Sequence, residues 1–279
     1  MKLTVAVLQY DVPHRPHDSA TKLEQLVKTA VDQGAKLIVA PETAIGEGGL
    51  ARDTGADFFG QLSDIARKYQ VYLATSFYRK EQEGFFNHGY IVNPKGEAIL
   101  DHKKIYIAKP EKENLGVIPG KNVSVTKSPI GKLGMLVCKD GFNRYSHFLY
   151  ERFNELGAEI ICIPAWSIGW KELNTQEYVK SLYVYGAFTS RSFILMADCI
   201  NETFNSYGRS LIVSPVQGVL KEGSIDKEEI LLETLDLSEV KKARSFDSWW
   251  QPKENYFRGN ELYSSYSGLQ LVRAKKRIR

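Results

Sequence analysis

Cys138 stands where the apolar stretch KLGMLVC at 132–138 gives way to polar residues. Such a stretch predicts a β-strand, and catalytic groups favour the carboxyl ends of strands. A thiol placed there can act as a nucleophile, although a single cysteine is more often a buried structural residue. Cys162 and Cys199 lie inside apolar stretches, which favours the structural role for both of them.

Two charged residues could act beside this thiol. Glu42 follows the apolar stretch AKLIVA at 35–40, and Lys104 lies in an alternating segment where it and Lys103 must point to opposite faces. A thiol needs a base or cation for activation, a carboxylate can carry a proton to a departing amine, and a cation can hold an oxyanion. Taken singly, Glu42 is equally typical of an exposed loop carboxylate, and the lysines of a protected edge strand.

The sequence contains no recognisable metal or nucleotide motif. The histidines are scattered, and no Cys-x-x-Cys pair occurs. The segment GVIPGKN at 116–122 has three residues between its glycines, where a phosphate-binding loop needs four, and it carries Asn122 where Ser or Thr is needed. We therefore predict no metal ion and no cofactor.

The composition, with 43% hydrophobic and 25% charged residues, is typical of an ordinary globular protein. Much of the net charge of +4 lies in residues 273–279, which is more typical of a solvated tail than of a nucleic-acid interface. Three widely spaced cysteines fit a reducing compartment, and neither a secretion signal nor a membrane span is recognisable. We expect a cytoplasmic protein with no nucleic-acid or membrane partner.

Strands and helices alternate along the chain. Apolar runs predict strands at 2–9, 35–40, 71–77, 132–138, 159–163, 192–198, 209–213, 216–220 and 229–235, with two more around a turn inside 89–108. Helical spacing predicts helices at 18–33, 55–69, 145–156 and 173–189, with a loop at 109–122. This order indicates an α/β or α+β domain with helices outside the sheets. Residues from about 240 onward lack periodicity and are rich in aromatics, which is typical of an extension that packs on the body or on a partner subunit.

At these positions the chain resembles the nitrilase superfamily of carbon–nitrogen hydrolases, over about 2–265. Several segments are similar to family segments in the same order. They are GAKLIVAPET around Glu42, FNHGYIVNPKGE at 86–97, HKKIYI around Lys104, ENLGVIPG at 113–120, GKLGMLVCKD around Cys138, and the stretches 157–166 and 207–218. The resemblance implies a four-layer α-β-β-α sandwich as a single domain over 1–265, followed by a basic tail at 266–279, and a homodimer or larger homo-oligomer.

The resemblance also implies roles for individual residues. Cys138 is expected to attack the substrate carbon while Glu42 acts as general base. Lys104 and the backbone N–H of Lys139 are expected to hold the oxyanion. Glu113 is expected to orient Lys104 or the substrate.

The chain departs from the family pattern just after the cysteine, where Arg144 and Tyr145 replace a usual Pro-Glu pair. The sequence Cys-Lys-Asp-Gly at 138–141 is closer to the amidase and carbamoylase branches than to the Cys-Trp-Glu of nitrilases. Phe142, Asn143, Tyr145 and Trp166 lie in segments that would line the substrate pocket, although packing in the core or an interface explains each equally well.

The predicted function is hydrolysis of a small amide or carbamoyl substrate through a cysteine thioester, with release of ammonia or an amine. Three alternatives remain open at this stage. They are nitrile hydrolysis, acyl transfer to an amine, and a non-catalytic partner protein that keeps the fold.

Overall fold

Two six-stranded sheets lie face to face at the centre of the molecule. The structure is a computed structural model that describes residues 1–13, 15–45, 57–169, 175–201 and 205–247. Its strands in chain order are β1 (Lys2–Gln9), β2 (Leu37–Glu42), β3 (Tyr72–Glu81), β4 (Gly84–Val92), β5 (Ala98–Lys103), β6 (Val125–Ser128), β7 (Gly131–Met135), β8 (Ile160–Ala165), β9 (Phe193–Asp198), β10 (Ile200–Asn201), β11 (Ser206–Tyr207), β12 (Leu211–Ser214), β13 (Gly218–Glu222) and β14 (Glu229–Asp236).

The two sheets are built alike. The first sheet has the order β14-β1-β2-β3-β4-β5 and the second has the order β13-β12-β9-β8-β7-β6. In each sheet three neighbouring strands run parallel, namely β1, β2 and β3 in the first and β7, β8 and β9 in the second. The flanking strands pair antiparallel. The carboxyl ends of the parallel strands therefore form the edge at which side chains from both sheets can meet.

Alternation along the strands explains why both faces of each sheet are buried. In β1, Val5 and Val7 face the second sheet, whereas Ala6 and Leu8 face the helical layer. In β8, Ile160 faces the first sheet in the same way. Because successive side chains point to opposite faces, an apolar run without polar interruption needs cover on both sides.

Helices supply the two outer layers. In chain order they are α1 (Pro16–Asp32), α2 (Phe58–Tyr69), α3 (Lys109–Leu115), α4 (Lys139–Phe142), α5 (Ser146–Leu156), α6 (Thr175–Ser190) and α7 (Ser238–Asp247). Helices α1 and α2 cover the first sheet, and α5 and α6 cover the second. Leu23, Val27 and Ala30 illustrate how α1 lays one apolar stripe on its sheet. The predicted four-layer α-β-β-α sandwich is confirmed.

Three local predictions differ from the structure. Strand β2 continues through Pro41 to Glu42, because a register irregularity between Val39 and Glu42 spares the proline a ladder hydrogen bond. The segment predicted as a loop at 109–122 contains α3. The strand before Cys138 ends at Met135, so the thiol lies in the connection to α4.

The end of the chain is only partly described. Helix α7 occupies part of the region that shows no periodicity in the sequence. The aromatic residues Trp249, Trp250, Tyr256, Phe257 and Tyr263, and the basic tail at 266–279, lie outside the described residues. No helix within the described ranges combines the length and the apolar character that crossing a membrane requires.

Candidate active site

Glu42 and Lys104 come from the first sheet and meet in its buried interior. Glu42 ends β2 and is 4% exposed, while Lys104 follows β5 and is 1% exposed. The Lys104 Nζ donates to Glu42 Oε1 at 2.7 Å. Its neighbour Lys103 points the other way and donates to Glu81 at 2.6 Å near the surface. The prediction that these two lysines face opposite sides is therefore confirmed.

The second carboxylate of the site is Glu111, and the prediction of Glu113 is wrong. Glu111 Oε1 accepts from Lys104 Nζ at 3.0 Å, whereas the Glu113 side chain is 60% exposed and lies 3.9 Å from Lys109 Nζ. Both residues lie in α3, where two positions differ by roughly 200° around the helix axis, so only one of them can face Lys104.

Glu111 is held at both of its oxygens. Oε2 accepts the backbone N–H of Ala108 at 2.7 Å, which caps the first turn of α3. Oε1 also accepts the hydroxyl of Tyr78 at 3.0 Å. Pro110 in the first turn and the left-handed Gly116 after the last turn are sequence signals that delimit this helix and would have selected Glu111.

Asn87 bridges the carboxylates of Glu42 and Glu111, and it is not among the site residues predicted from the sequence. It is completely buried in β4, and its Nδ2 donates to Glu42 Oε1 at 2.7 Å and to Glu111 Oε1 at 3.0 Å. A buried amide that bridges two acids beside one ammonium completes a four-membered polar network. The available signal was a lone Asn in an otherwise apolar and aromatic strand.

Cys138 comes from the second sheet and is presented by a strained turn. Its backbone φ is +48°, a value that costs a residue other than glycine about 1–3 kcal/mol. The turn is held by the Cys138 N–H donating to the Pro164 carbonyl at 2.7 Å and by the Gly141 N–H donating to the Cys138 carbonyl at 2.9 Å. The thiol, 5% exposed, faces the Trp166 carbonyl oxygen with Sγ···O at 3.6 Å.

Asp140 ties the segment that carries Cys138 to the segment that carries Lys104. Its Oδ1 accepts the backbone N–H groups of Ile105 at 2.9 Å and Tyr106 at 2.7 Å. Its Oδ2 accepts the Val137 N–H at 3.2 Å and lies 2.9 Å from His102 Nε2. One buried carboxylate thus holds backbone on both sides of the site and spans the two sheets.

Asp198 is another buried carboxylate, and it binds the peptide group that faces the Cys138 thiol. Asp198 Oδ1 accepts the backbone N–H of Ser167 at 2.8 Å. That N–H and the Trp166 carbonyl that faces Cys138 belong to the same peptide group. Burial raises the pKa of Asp198 to about 7, against hydrogen bonds from Ser167 that lower it.

The environments of Glu42 and Glu111 shift the pKa values of the two carboxyl groups in opposite directions. Burial raises the pKa of Glu42, although Lys104 acts in the opposite direction. Burial acts on Glu111 as well, but Lys104 and the hydrogen bonds from Ala108 and Asn87 outweigh it and lower its pKa. A pair of acids separated in this way contains one group suited to proton transfer and one suited to a fixed negative charge.

Burial also raises the pKa of the Cys138 thiol well above its usual value, with a further contribution from the negative charge of Glu42. The resting form is therefore the thiol, and attack requires a base within reach. Burial alone would lower the pKa of Lys104, but Cys138, Glu42 and Glu111 raise it well above its usual value and keep the ammonium charged.

One cavity of about 260 Å³ contains the Cys138 thiol, the Lys104 ammonium and the carboxylates of Glu42 and Glu111. It is lined by Glu42, Thr43, Tyr78, Lys104, Ala108, Pro110, Glu111, Asn114, Cys138, Trp166 and Ile168. Of the side chains predicted to bind substrate, Trp166 lines this cavity. The thiol, the carboxylates and the ammonium can therefore reach a single small molecule.

The other predicted pocket side chains do not line this cavity, because the chain turns into α4 after Cys138. For Lys139 this concerns the side chain and not the backbone N–H. Lys139 Nζ donates to the Ile107 carbonyl at 3.0 Å. The Phe142 ring packs edge-on against Tyr183, with ring centroids 6.3 Å apart.

Asn143 and Tyr145 lie further along the same turn. Asn143 lines a separate surface cavity beside His147, and its Oδ1 accepts the Tyr145 N–H at 3.0 Å. The Tyr145 ring is 44% exposed under the Arg144 guanidinium, 4.7 Å from the ring centroid. The prediction that these two side chains line the substrate pocket is wrong for this reason.

Within the described ranges, no group of three or more His, Cys, Asp and Glu side chains has an arrangement that could hold a metal ion. The acids beside Cys138 bind Lys104 and Asn87 instead. The described side chains of the site offer the chemistry of a thiol, two carboxylates and an ammonium.

Comparison with known proteins identifies the family. The sequence model of the carbon–nitrogen hydrolase family matches residues 4–245, and the chain belongs to this family. It is a hydrolase of carbon–nitrogen bonds other than peptide bonds. The resemblance to the nitrilase superfamily that the ordered segments predict is confirmed.

Individual relatives cover most of the chain. An omega-amidase from Danio rerio is 27% identical in an alignment of 288 positions, which covers 94% of this chain and 97% of that protein. Nitrilase 1 from Arabidopsis thaliana is 25% identical over 276 residues, which cover 81% of this chain and 77% of that protein.

A solved structure of a mutant amidase from Nesterenkonia sp. AN1 shows the same fold. It carries acrylamide added to its active-site cysteine and matches with a TM-score of 0.74 at 19% identity, covering 89% of this chain and 100% of that one.

Proposed function

We propose that the protein hydrolyses a small amide or carbamoyl substrate through a thioester on Cys138. The observation that supports this most directly is geometric: one cavity is lined by the Cys138 thiol, two carboxylates and an ammonium, and Lys104 Nζ donates to both Glu42 and Glu111. The raised pKa suits Glu42 to exchange protons, and the lowered pKa suits Glu111 to remain a counter-ion.

The acylation half of the reaction uses each group once. Glu42 takes the thiol proton as Sγ of Cys138 attacks the carbonyl carbon, and the developing oxyanion lies beside the Lys104 ammonium and the backbone N–H of Lys139. Glu42 then gives its proton to the nitrogen as the carbon–nitrogen bond breaks. The amine or ammonia leaves, and the acyl group remains as a thioester.

The deacylation half reverses the roles. Glu42 takes a proton from a water molecule that attacks the thioester carbon, and the carboxylic acid forms as the Cys138 thiolate leaves. The thiolate recovers the proton from Glu42. Glu111, held by Tyr78 and by the Ala108 N–H, keeps Lys104 charged and in place throughout.

The test is ammonia release from a panel of amides, nitriles and carbamoyl amines by the wild-type protein, Cys138→Ala and Cys162→Ala. Cys162 is a buried thiol between the two sheets and serves as the matched control. We expect turnover by wild type and Cys162→Ala, and none by Cys138→Ala. Intact mass after incubation with acrylamide should show one adduct that Cys138→Ala lacks. Undiminished turnover in Cys138→Ala would refute the proposal.

Nitrile hydrolysis is the second candidate, because the chain is also similar to a plant nitrilase. The same panel separates the two activities, since a nitrile substrate gives ammonia and a carboxylic acid from a compound without an amide. A higher kcat/KM for nitriles than for the matched amides would favour this candidate over the first.

The proposal includes a cytoplasmic homodimer. The described chain has three free cysteines and no disulfide, in keeping with a reducing compartment. Tyr178, Tyr185 and Phe188 are exposed at helical spacing on α6, which suits a surface covered by a second copy. Light scattering is the check, and a clean monomer would contradict it.

A further inference from the structure

We infer that the substrate's acyl group is uncharged and largely apolar, and that amides carrying a second, ionised carboxylate are poor substrates. This inference rests on the proposed function and refines it. It concerns the part of the cavity beyond the reacting groups. It separates this protein from amidases that act on monoamides of dicarboxylic acids.

The surface that the acyl group would meet is largely apolar. Ala108, Pro110, Trp166 and Ile168 present apolar atoms, and Ile168 is 50% exposed at the mouth. The Tyr78 hydroxyl is already engaged with Glu111, so the ring is what Tyr78 offers. Small-molecule sites lined in this way gain affinity from apolar contact, with a few polar groups fixing orientation.

The described lining of the cavity carries more negative than positive charge. Two carboxylates, Glu42 and Glu111, line it together with one ammonium, and both already lie within hydrogen-bond distance of Lys104. A substrate carboxylate would lose its hydration and enter a site that carries an excess of negative charge. Burying an unpaired charge is strongly unfavourable.

The neighbouring lysines, Lys139 and Lys109, point away from the cavity. Lys139 donates its ammonium to the Ile107 carbonyl, and Lys109 is 81% exposed and paired with Glu113. Neither lines the cavity, so within the described part of the chain Lys104 is its sole cationic lining residue. Asn114, exposed at the mouth, adds a neutral hydrogen-bonding group. Among the described residues, the polar groups left to recognise the acyl group are therefore neutral.

The experiment compares isosteric amides with the full-length protein. Succinamate carries a carboxylate where 4-methylpentanamide carries an isopropyl group, and succinamide provides the same shape with a neutral polar end. We expect kcat/KM for 4-methylpentanamide to exceed that for succinamate by at least about 100-fold, with succinamide in between. Succinamide no better than succinamate would show that charge is not the basis of selection and would overturn the inference.

A pair of variants at the mouth tests the origin of the preference. Ile168→Arg places a cation at the cavity mouth, and Ile168→Gln places a neutral side chain there. We expect Ile168→Arg to raise the ratio of succinamate to 4-methylpentanamide turnover by about tenfold over Ile168→Gln. An equal ratio in the two variants, or succinamate equal to 4-methylpentanamide in the wild type, would overturn the inference and leave Cys138-dependent hydrolysis intact. Failure of the proposed function is a different result, namely no turnover of any amide and no acrylamide adduct on Cys138.

Discussion

The two sheets contribute different chemistry to the site. The first sheet supplies Glu42, Asn87 and Lys104. The Asn87 amide and the Lys104 ammonium each donate to Glu42 and to Glu111 at 2.7–3.0 Å. The second sheet supplies Cys138 and Trp166, where a thiol faces a carbonyl oxygen at 3.6 Å in a strained turn. One sheet carries a dense ionic network, and the other carries a nucleophile with few polar contacts.

This difference separates stability from reactivity. Removing Lys104 leaves Glu42 and Glu111 buried without their cation, so the first sheet's network should affect folding as well as activity. Changing the Cys138 thiol leaves the hydrogen bonds from Lys104 to Glu42 and Glu111 in place, so it should affect mainly reactivity. Asp140 is the exception, because it hydrogen-bonds to backbone on both sides, and it should link the two properties.

The largest effect should follow loss of the Lys104 charge. Lys104→Met leaves Glu42 and Glu111 together without a cation, and we expect a loss of about 3–5 kcal/mol in unfolding free energy. Lys103→Met is the matched control, because Lys103 pairs with Glu81 at a partly exposed position where such a pair contributes about 0–1 kcal/mol. Urea denaturation at neutral pH measures both. Equal losses in the two variants would show that the buried network stabilises the fold no more than a pair near the surface does.

Asp140→Ala should have an effect of comparable size. It leaves the N–H groups of Ile105, Tyr106 and Val137 without their acceptor, and an unsatisfied buried group costs about 1–3 kcal/mol. Because the two halves of the site lose their common anchor, kcat should also fall by about 100-fold. Asp140→Asn keeps one acceptor oxygen and should recover part of both quantities. A stable but inactive Asp140→Ala protein would show that the residue serves reactivity alone.

The two glutamates of α3 give a smaller and sharper comparison. Glu111→Gln removes the negative charge that holds Lys104, and we expect kcat to fall by about tenfold or more. Glu113→Gln changes an exposed side chain on the opposite side of the helix and should leave kcat unchanged. Steady-state kinetics on one amide decides between them. A larger effect at Glu113 would restore the original prediction from the sequence.

These two residues also show how far the sequence leads. Cys138 and Glu42 are predictable because each lies at the end of an apolar run, and all three of Cys138, Glu42 and Lys104 lie in ordered family segments. The sequence does not single out Glu111, because the composition at 109–122 predicts a loop. Without a helix there is no rotation to distinguish position 111 from position 113, although Pro110 and Gly116 mark that helix.

Other parts of the site depend on contacts between residues far apart in sequence. Asp140 reaches backbone 34 residues away at Tyr106, and Asp198 reaches Ser167 across 31 residues. No local pattern encodes such partners, because they arise only when the sheets pack. For the same reason the turn after Cys138 misled the pocket prediction. Asn143 and Tyr145 are close to the thiol in sequence, but neither lines the cavity that contains Cys138.

A pH dependence of stability tests the second sheet. Burial raises the pKa of Asp198 to about 7 from an ordinary value of 3.8, so its folded form holds a proton between these values that the unfolded chain releases. Its contribution to stability is complete below the unfolded pKa and is lost as pH rises toward 7. Asp198→Asn cannot lose that proton, so its stability relative to wild type should rise by at most about 1.4 kcal/mol per pH unit across this window. Urea denaturation at pH 5, 6 and 7 measures the slope.

Asp236, at the end of the first sheet, is the control of opposite sign. Hydrogen bonds from Ser238 and the nearby Lys2 lower its pKa to about 2, so both folded and unfolded forms are ionised above pH 5. The stability difference between Asp236→Asn and wild type should therefore stay constant from pH 5 to 7, while that of Asp198→Asn changes. A flat profile for Asp198→Asn would mean that Asp198 is already ionised at pH 5, and that the peptide behind the thiol is held by a permanent negative charge.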